Sequence, residues 1–115
     1  MCADKGWRGG KGPLKKKIKR ILYKERSMRE YVVEYLGTVF FLYVVVVTQN
    51  AFAIGAALAL CIYLGGAISG GNFNPASTLL MVLTGKEPSH VLAPYIIAQL
   101  AAVFTVHQIY KRLKK

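Results

Sequence analysis

The sequence predicts an all-α transmembrane protein, with three membrane-spanning helices and one re-entrant half-helix, preceded by a basic amphipathic N-terminal segment. Three observations carry that prediction. Charge is confined to the ends: residues 1–29 hold eleven Lys or Arg and two acids, and residues 111–115 (KRLKK) add four positives, within a formal net charge of +11 over 115 residues. Between Tyr35 and Tyr110 the only Asp, Glu, Lys or Arg residues are Lys86 and Glu87. A stretch so poor in charge cannot keep a globular surface wet, which excludes an ordinary soluble basic domain. Polar clusters also cut this stretch into pieces of membrane-spanning length, with one piece about half as long. The length allows one domain.

The elements follow in order. Residues 1–13 (MCADKGWRGGKGP) contain four Gly and one Pro and show no periodicity, the pattern of a mobile tail. From Leu14 a stripe appears: Leu14, Ile18, Ile21, Leu22 and Met28 fall within roughly 120° of a helix, with Lys15, Lys16, Lys19, Tyr23 and Arg26 opposite. This predicts a basic amphipathic helix from about residue 14, lying on a membrane surface within an arm of residues 1–30. Lys15, Lys16, Lys17, Lys19 and Arg20 are its candidate contacts to anionic lipid headgroups or an acidic partner, each cation being worth about 1 kcal/mol beside such lipid. The competing reading is juxtamembrane charge that only sets orientation.

Residues 31–48 are the first predicted span, about 27 Å at helical rise, enough for the hydrocarbon core. Thr48-Gln49-Asn50 makes a short turn, and residues 51–68 form the second span. Ser69-Gly70-Gly71-Asn72-Phe73-Asn74-Pro75 is too irregular to stay helical, and residues 76–84 are apolar for only half a crossing. Residues 69–84 therefore predict a re-entrant loop and half-helix. Gly85 to Ser89 is a solvent-facing turn, residues 91–110 the third span with Tyr110 as an interface anchor, and residues 111–115 a basic tail. The larger N-terminal charge places the N-terminus on the cytoplasmic side, although KRLKK then lies on the disfavoured side. Cys2 and Cys61 imply no disulfide framework, and the first 13 residues hold no apolar core of a signal peptide.

The chemistry is concentrated at Asn74-Pro75-Ala76. Asn is a favoured N-cap whose oxygen accepts a backbone N–H and leaves its NH2 free to donate. Pro suits the first helical position. A half-helix that begins at membrane depth aims its partial positive end at the bilayer centre, and irregular backbone there must be buried in protein or line a wet cavity. Such a site donates to a neutral solute oxygen and repels cations and protons. Alone, Asn-Pro is a common turn dipeptide.

Residues 69–79, SGGNFNPASTL, closely resemble the first signature loop of the aquaporin, or major intrinsic protein, family. Glu34-Tyr35-Leu36-Gly37-Thr38 is similar to the family's first-helix Glu-x-x-Gly-Thr element. Ile54-Gly55 sits where the family's second helix carries an aromatic or small residue before Gly, and residues 94–99 (PYIIAQ) resemble its third helix. The resemblance covers about residues 31–110 and implies a half-aquaporin membrane domain there. It also implies roles. Asn74 donates to water or a small polyol; Gly70, Gly71 and Asn72 offer backbone carbonyls; Ile54 occupies a corner of the outer selectivity filter. Glu34 and Gln99 are buried clamps on the loop, against the bland readings of a headgroup-level acid and a plain interhelical hydrogen bond.

Departures from the family pattern shape the expected function. Its channels are built from two inverted repeats, whereas this chain shows one, with no second Asn-Pro-Ala and no Arg in the membrane region. Ala67 and Asn72 stand where the family often has His. A lone repeat would leave loop groups facing lipid, so a homo-oligomer or another membrane protein is expected to complete it. The leading expectation is a passive channel for water or small neutral solutes, formed only by pairing two half-channels. The alternative is a non-conducting structural subunit or anchor, packing through Gly37, Gly55, Gly66 and Gly70. An enzyme is not expected, for want of a nucleophile–base pair or phosphate loop. Neither are nucleic-acid binding, a cofactor or a metal; His90 and His107 lack paired-ligand spacing.

Overall fold

Residues 12–114 are described in the computed structural model, with the backbone alone between residues 19 and 27. Their regular structure is helical: α1 (Pro13–Thr48), α2 (Ala51–Ser69), α3 (Pro75–Leu83) and α4 (Leu92–Lys114), the last entered through a 3₁₀ turn at Ser89–Val91. Three segments are long and apolar enough to cross a membrane, Met28–Thr48, Ala51–Ser69 and Ser89–Lys114. The Gly-rich tail and the side chains of Lys19, Arg20, Ile21 and Leu22 lie outside the described residues. Of the predicted amphipathic stripe, Leu14, Ile18 and Met28 are exposed.

Helix α1 starts with Pro13 in its first turn and meets no Gly or Pro until Gly37, so nothing in the sequence stops it. The expected boundary at residue 30 is therefore no break: arm and first span form one 36-residue helix, about 54 Å long. Its portion before Met28 projects about 22 Å beyond the span. The helix ends at Gln49, which turns left-handed (φ 46°) and donates its N–H to the Val45 carbonyl. Asn50 then caps α2 by accepting the Ala53 N–H at 2.9 Å. Two residues thus reverse the chain, and α2 returns beside α1.

Cross-helix bonds give the directions. Glu34 meets Ser69 while Gly37, further along α1, accepts from Cys61, so α2 runs antiparallel to α1. Tyr95 lies beside Glu30 and Gln99 beside Glu34, so α4 runs parallel to α1. Helix α1 is thus the centre, packed by α2 and α4, while α3 packs on α4. The buried face of α2 is Ala57, Cys61, Gly65 and Ser69, one residue per turn and all small, which lets the two backbones approach. Large apolar side chains such as Phe52, Tyr63, Leu83 and Phe104 point outward, as on a lipid-facing surface.

Helix α3 is re-entrant. Thr78 meets Gln99, about two turns into α4, whereas the turn after α3 comes back to the end of α2. There the Glu87 carboxylate oxygens stand 3.2 and 3.4 Å from the place a Cβ on Gly70 would occupy. The half-helix begins inside the bundle and ends on the side from which its loop came.

Candidate functional site at the half-helix entrance

Asn74 is extended (φ −163°, ψ 129°) and its Oδ1 accepts the Ala76 N–H at 2.7 Å. Pro75 fills the first helical position, where its missing N–H costs nothing. The Asn74 carbonyl accepts the Thr78 N–H at 3.0 Å and the Thr78 hydroxyl at 3.1 Å. With its oxygens occupied, the exposed Asn74 keeps an amide NH2 that has no partner among the described residues. The helix dipole adds positive potential at the same point.

Behind the loop lies Glu34, wholly buried in α1. Its Oε2 accepts the Ser69 hydroxyl at 2.7 Å and the Asn72 N–H at 3.2 Å. Its Oε1 accepts the Phe73 N–H at 2.8 Å and Gln99 Nε2 at 2.8 Å. A buried carboxylate is costly unless its lone pairs are met, and here donors from α2, the loop and α4 meet them. Gln99 gives its second hydrogen to Thr78 Oγ1 at 2.8 Å, tying α3 to α4. Ser69 Oγ also accepts the Gly71 N–H at 3.2 Å, and the Tyr95 hydroxyl donates to the Ser69 carbonyl at 2.8 Å. With the N–H groups of Gly71, Asn72 and Phe73 all bonded to side chains, the loop's surplus is carbonyl oxygen.

The loop's backbone needs its glycines: Gly70 (φ 92°) and Gly71 (φ 69°) are left-handed. Phe73 is left-handed too (φ 50°), at a cost of about 1–3 kcal/mol for a residue with a side chain. Its ring is buried against Gly37 and Gly65, and a Cβ on Gly37 would collide with it. That burial, with the Phe73–Glu34 bond, offsets the strain. Thr38 Oγ1, Asn72 Nδ2 and Gln99 Oε1 are buried without a partner, so the region around the loop is a polar pocket in an otherwise apolar bundle.

The structure brings together Glu34, Gln99, Gly70, Gly71, Asn72, Asn74, Pro75 and Ala76. It leaves Ile54 apart, half-buried one turn into α2 and about 22 Å along the axis from Ser69. Lys15, Lys16 and Lys17 are exposed on the projecting part of α1. Gly37 and Gly65 make the close approaches, whereas a Cβ on Gly55 would meet nothing and one on Gly66 only Ile62, at 3.6 Å. Ser69, Phe73, Thr78 and Tyr95 belong to the site and were not singled out from sequence. The paired Gly65-Gly66 inside an apolar run was the available signal for the Phe73 seat.

On the turn outside the spans, burial pushes the Glu87 carboxyl above its usual range, and the nearby Glu30 and Glu34 carboxylates push the same way. Among the described residues no group of three or more His, Cys, Asp or Glu could hold a metal ion. The arrangement suits hydrogen bonding to a neutral solute, by an amide donor beside carbonyl acceptors.

The family model described as Major intrinsic protein matches residues 21–115. The chain is 39% identical over 82 residues to glycerol uptake facilitator protein-like 6 of Lactiplantibacillus plantarum, covering 64% of this chain and 38% of that protein. It is 34% identical over 92 residues to aquaporin-8 of Mus musculus, covering 70% of this chain and 35% of the relative. To propanediol uptake facilitator PduF of Salmonella typhimurium it is 44% identical over 50 residues, covering 44% of this chain and 19% of that protein. The chain thus spans little more than a third of the length of the first two. No solved structure matches it significantly.

Proposed function

Because the chain belongs to the major intrinsic protein family, whose members are membrane channels and not enzymes, we propose that it forms half of a passive channel for water or small neutral solutes. The observation that carries this reading is Asn74: an exposed amide NH2 at the start of a re-entrant helix, with its oxygen already bonded to Ala76. Water or a small alcohol accepts from that amide and donates to the carbonyls of Gly70, Gly71 and Asn72. Glu34 and Gln99 act behind them as the clamp that keeps the loop open. Ile54 stands at the outer mouth, away from the constriction.

Conduction requires a second half. The exposed Asn74 and Ala76 occupy one side of the bundle, and backbone groups there cannot face lipid without a cost of several kcal/mol each. A second repeat covers them and closes the pore. The names of the relatives, which include glycerol and propanediol uptake facilitators and aquaporins, support small uncharged cargo. The chain is an integral membrane protein, and its basic N-terminal arm is assigned to the cytoplasmic side on charge.

The test is osmotic shrinkage of vesicles containing the full chain. Wild type is expected to shrink faster than empty vesicles, with Asn74→Asp inserted equally well and conducting far less. Equal shrinkage of wild type, mutant and empty vesicles rejects conduction. A second reading, a non-conducting subunit of a larger membrane assembly, draws on the projecting part of α1. That unbroken basic helix, carrying Lys15, Lys16 and Lys17, is a rigid handle for an acidic surface.

A further inference from the structure

A crevice runs between α1 and α2 inside the membrane spans. Its deeper part, about 370 Å³, is walled by Val33, Leu36 and Phe40 of α1 and by Leu60 and Leu64 of α2. Gly37, Gly65 and the Phe73 ring complete it. A second cavity of about 260 Å³ shares Val33 and continues past Val32 and Ile68 to Arg29. The two are one groove by helix geometry. Residues 29, 33, 36 and 40 lie on one face of α1, and residues 68, 64 and 60 on one face of α2.

The dimensions and the charges of this groove point to one occupant. From Arg29 to Phe40 the groove is about 16 Å long, close to half of the roughly 30 Å hydrocarbon core, which is the depth of one leaflet. Its walls are hydrocarbon; the Cys61 thiol lining it already donates to the Gly37 carbonyl. Its shallow end carries the exposed Arg29, at the edge of the span Met28–Thr48 and below the Lys-rich stretch of α1. A second copy inserted the same way would bring its own basic end against Arg29, an unfavourable pairing of like charges. A phosphate on a long apolar chain matches both ends.

We infer that the groove binds an anionic phospholipid, with one acyl chain between α1 and α2 and its phosphate on Arg29. The chain then rests against Phe73, the residue preceding Asn74, so the lipid supports the loop from outside. The site does not depend on conduction, only on insertion in a bilayer.

The test uses the full chain with Trp7→Phe and a reporter Leu64→Trp on the groove wall, in phosphatidylcholine vesicles. A minor fraction of dibrominated phosphatidylglycerol is compared with the same fraction of dibrominated phosphatidylcholine as quencher. Apparent association at position 64 is expected to favour phosphatidylglycerol about fivefold. A reporter Ile97→Trp, exposed on α4, is expected to show no preference. Arg29→Gln is expected to remove the preference at position 64. Equal quenching by the two lipids at position 64, or a preference undiminished in R29Q, overturns the inference. Absence of quenching by either lipid, with association of copies seen by energy transfer, also overturns it and assigns the groove to protein.

Discussion

Gln99 Nε2 donates to Glu34 Oε1 at 2.8 Å, joining α4 to α1 across 65 residues of sequence. The same carboxylate receives the loop, so one buried group fixes three segments. Removing it strands two backbone N–H groups and one hydrogen of the Gln99 amide, and leaves the Ser69 hydroxyl only a 3.4 Å bond to the Gly65 carbonyl. At about 1–3 kcal/mol for each stranded buried group, Glu34→Ala is expected to lose 3 kcal/mol or more. Gln99→Leu, which removes the bonds to Glu34 and Thr78, is expected to lose about 1–3 kcal/mol. Unfolding in mixed micelles ranks them, and a Q99L loss exceeding that of E34A contradicts the assignment of Glu34 as the hub.

The seat of Phe73 is tested by coupling. Gly37→Ala places a Cβ into the ring and is expected to destabilise by about 1–3 kcal/mol. Phe73→Leu opens space at the cost of buried area. The double variant is expected to be more stable than the sum of the single effects by 0.5 kcal/mol or more, as for residues in direct contact. Simple additivity in the same micelle titration rules out the contact.

Glu87 gives a pH dependence of definite sign. Its carboxyl is raised by burial and by the Glu30 and Glu34 carboxylates, so the folded protein holds that proton more tightly than the unfolded chain. Its stabilising contribution is present below the ordinary carboxylate value and is lost as pH rises through the raised one. Glu87→Gln removes the loss. The variant is expected to melt slightly above wild type at neutral pH, with the difference shrinking on acidification, and the effect stays small because the group is partly solvated. Thermal melts of both proteins across the acid range check this; a difference that grows on acidification reverses the sign.

The Tyr35 hydroxyl and Thr105 Oγ1 lie 2.6 Å apart and link α1 to α4 in the part of the bundle beyond Gln99. Single interhelical hydrogen bonds inside membranes are worth about 0.6 kcal/mol. Tyr35→Phe is accordingly expected to cost less than 1 kcal/mol, well below E34A. A loss comparable to E34A implies that this contact carries more than one bond.

The bounds of α2 and of the half-helix were readable because polar breaks are few and strong, whereas the fusion of the basic arm with the first span was not, since no Gly or Pro marks their junction. The half-helix expected over 76–84 is observed at Pro75–Leu83, and the second span expected over 51–68 at Ala51–Ser69. The third runs on to Lys114, since Lys111, Arg112 and Lys114 are good helix formers and suit a C-terminal dipole. The rotation of each helix was not readable. Helix α2 is apolar all round, so periodicity does not say that Gly65 rather than Gly66 faces α1. Phe73 was hidden for a different reason: an aromatic in a Gly-rich loop reads as exposed until the two glycines that receive it are known. Glu34 and Gln99 were legible through the family resemblance, which implied their place behind the loop, whereas Ser69, Thr78 and Tyr95 each pass for an ordinary helix end, N-terminal turn or interface residue.

The Glu34–Gln99 bond also sets an order in time. Chains emerge N-terminus first at about 5–20 residues per second, so the carboxylate of Glu34 precedes its last donor by several seconds or more. During that interval α1 and α2 can pair through their small residues, and the loop N–H groups can reach Glu34. The link that ties α3 to α4, from Gln99 to Thr78, forms only after the third span has emerged. Biogenesis of the half-helix is therefore completed from behind, by the helix made after it.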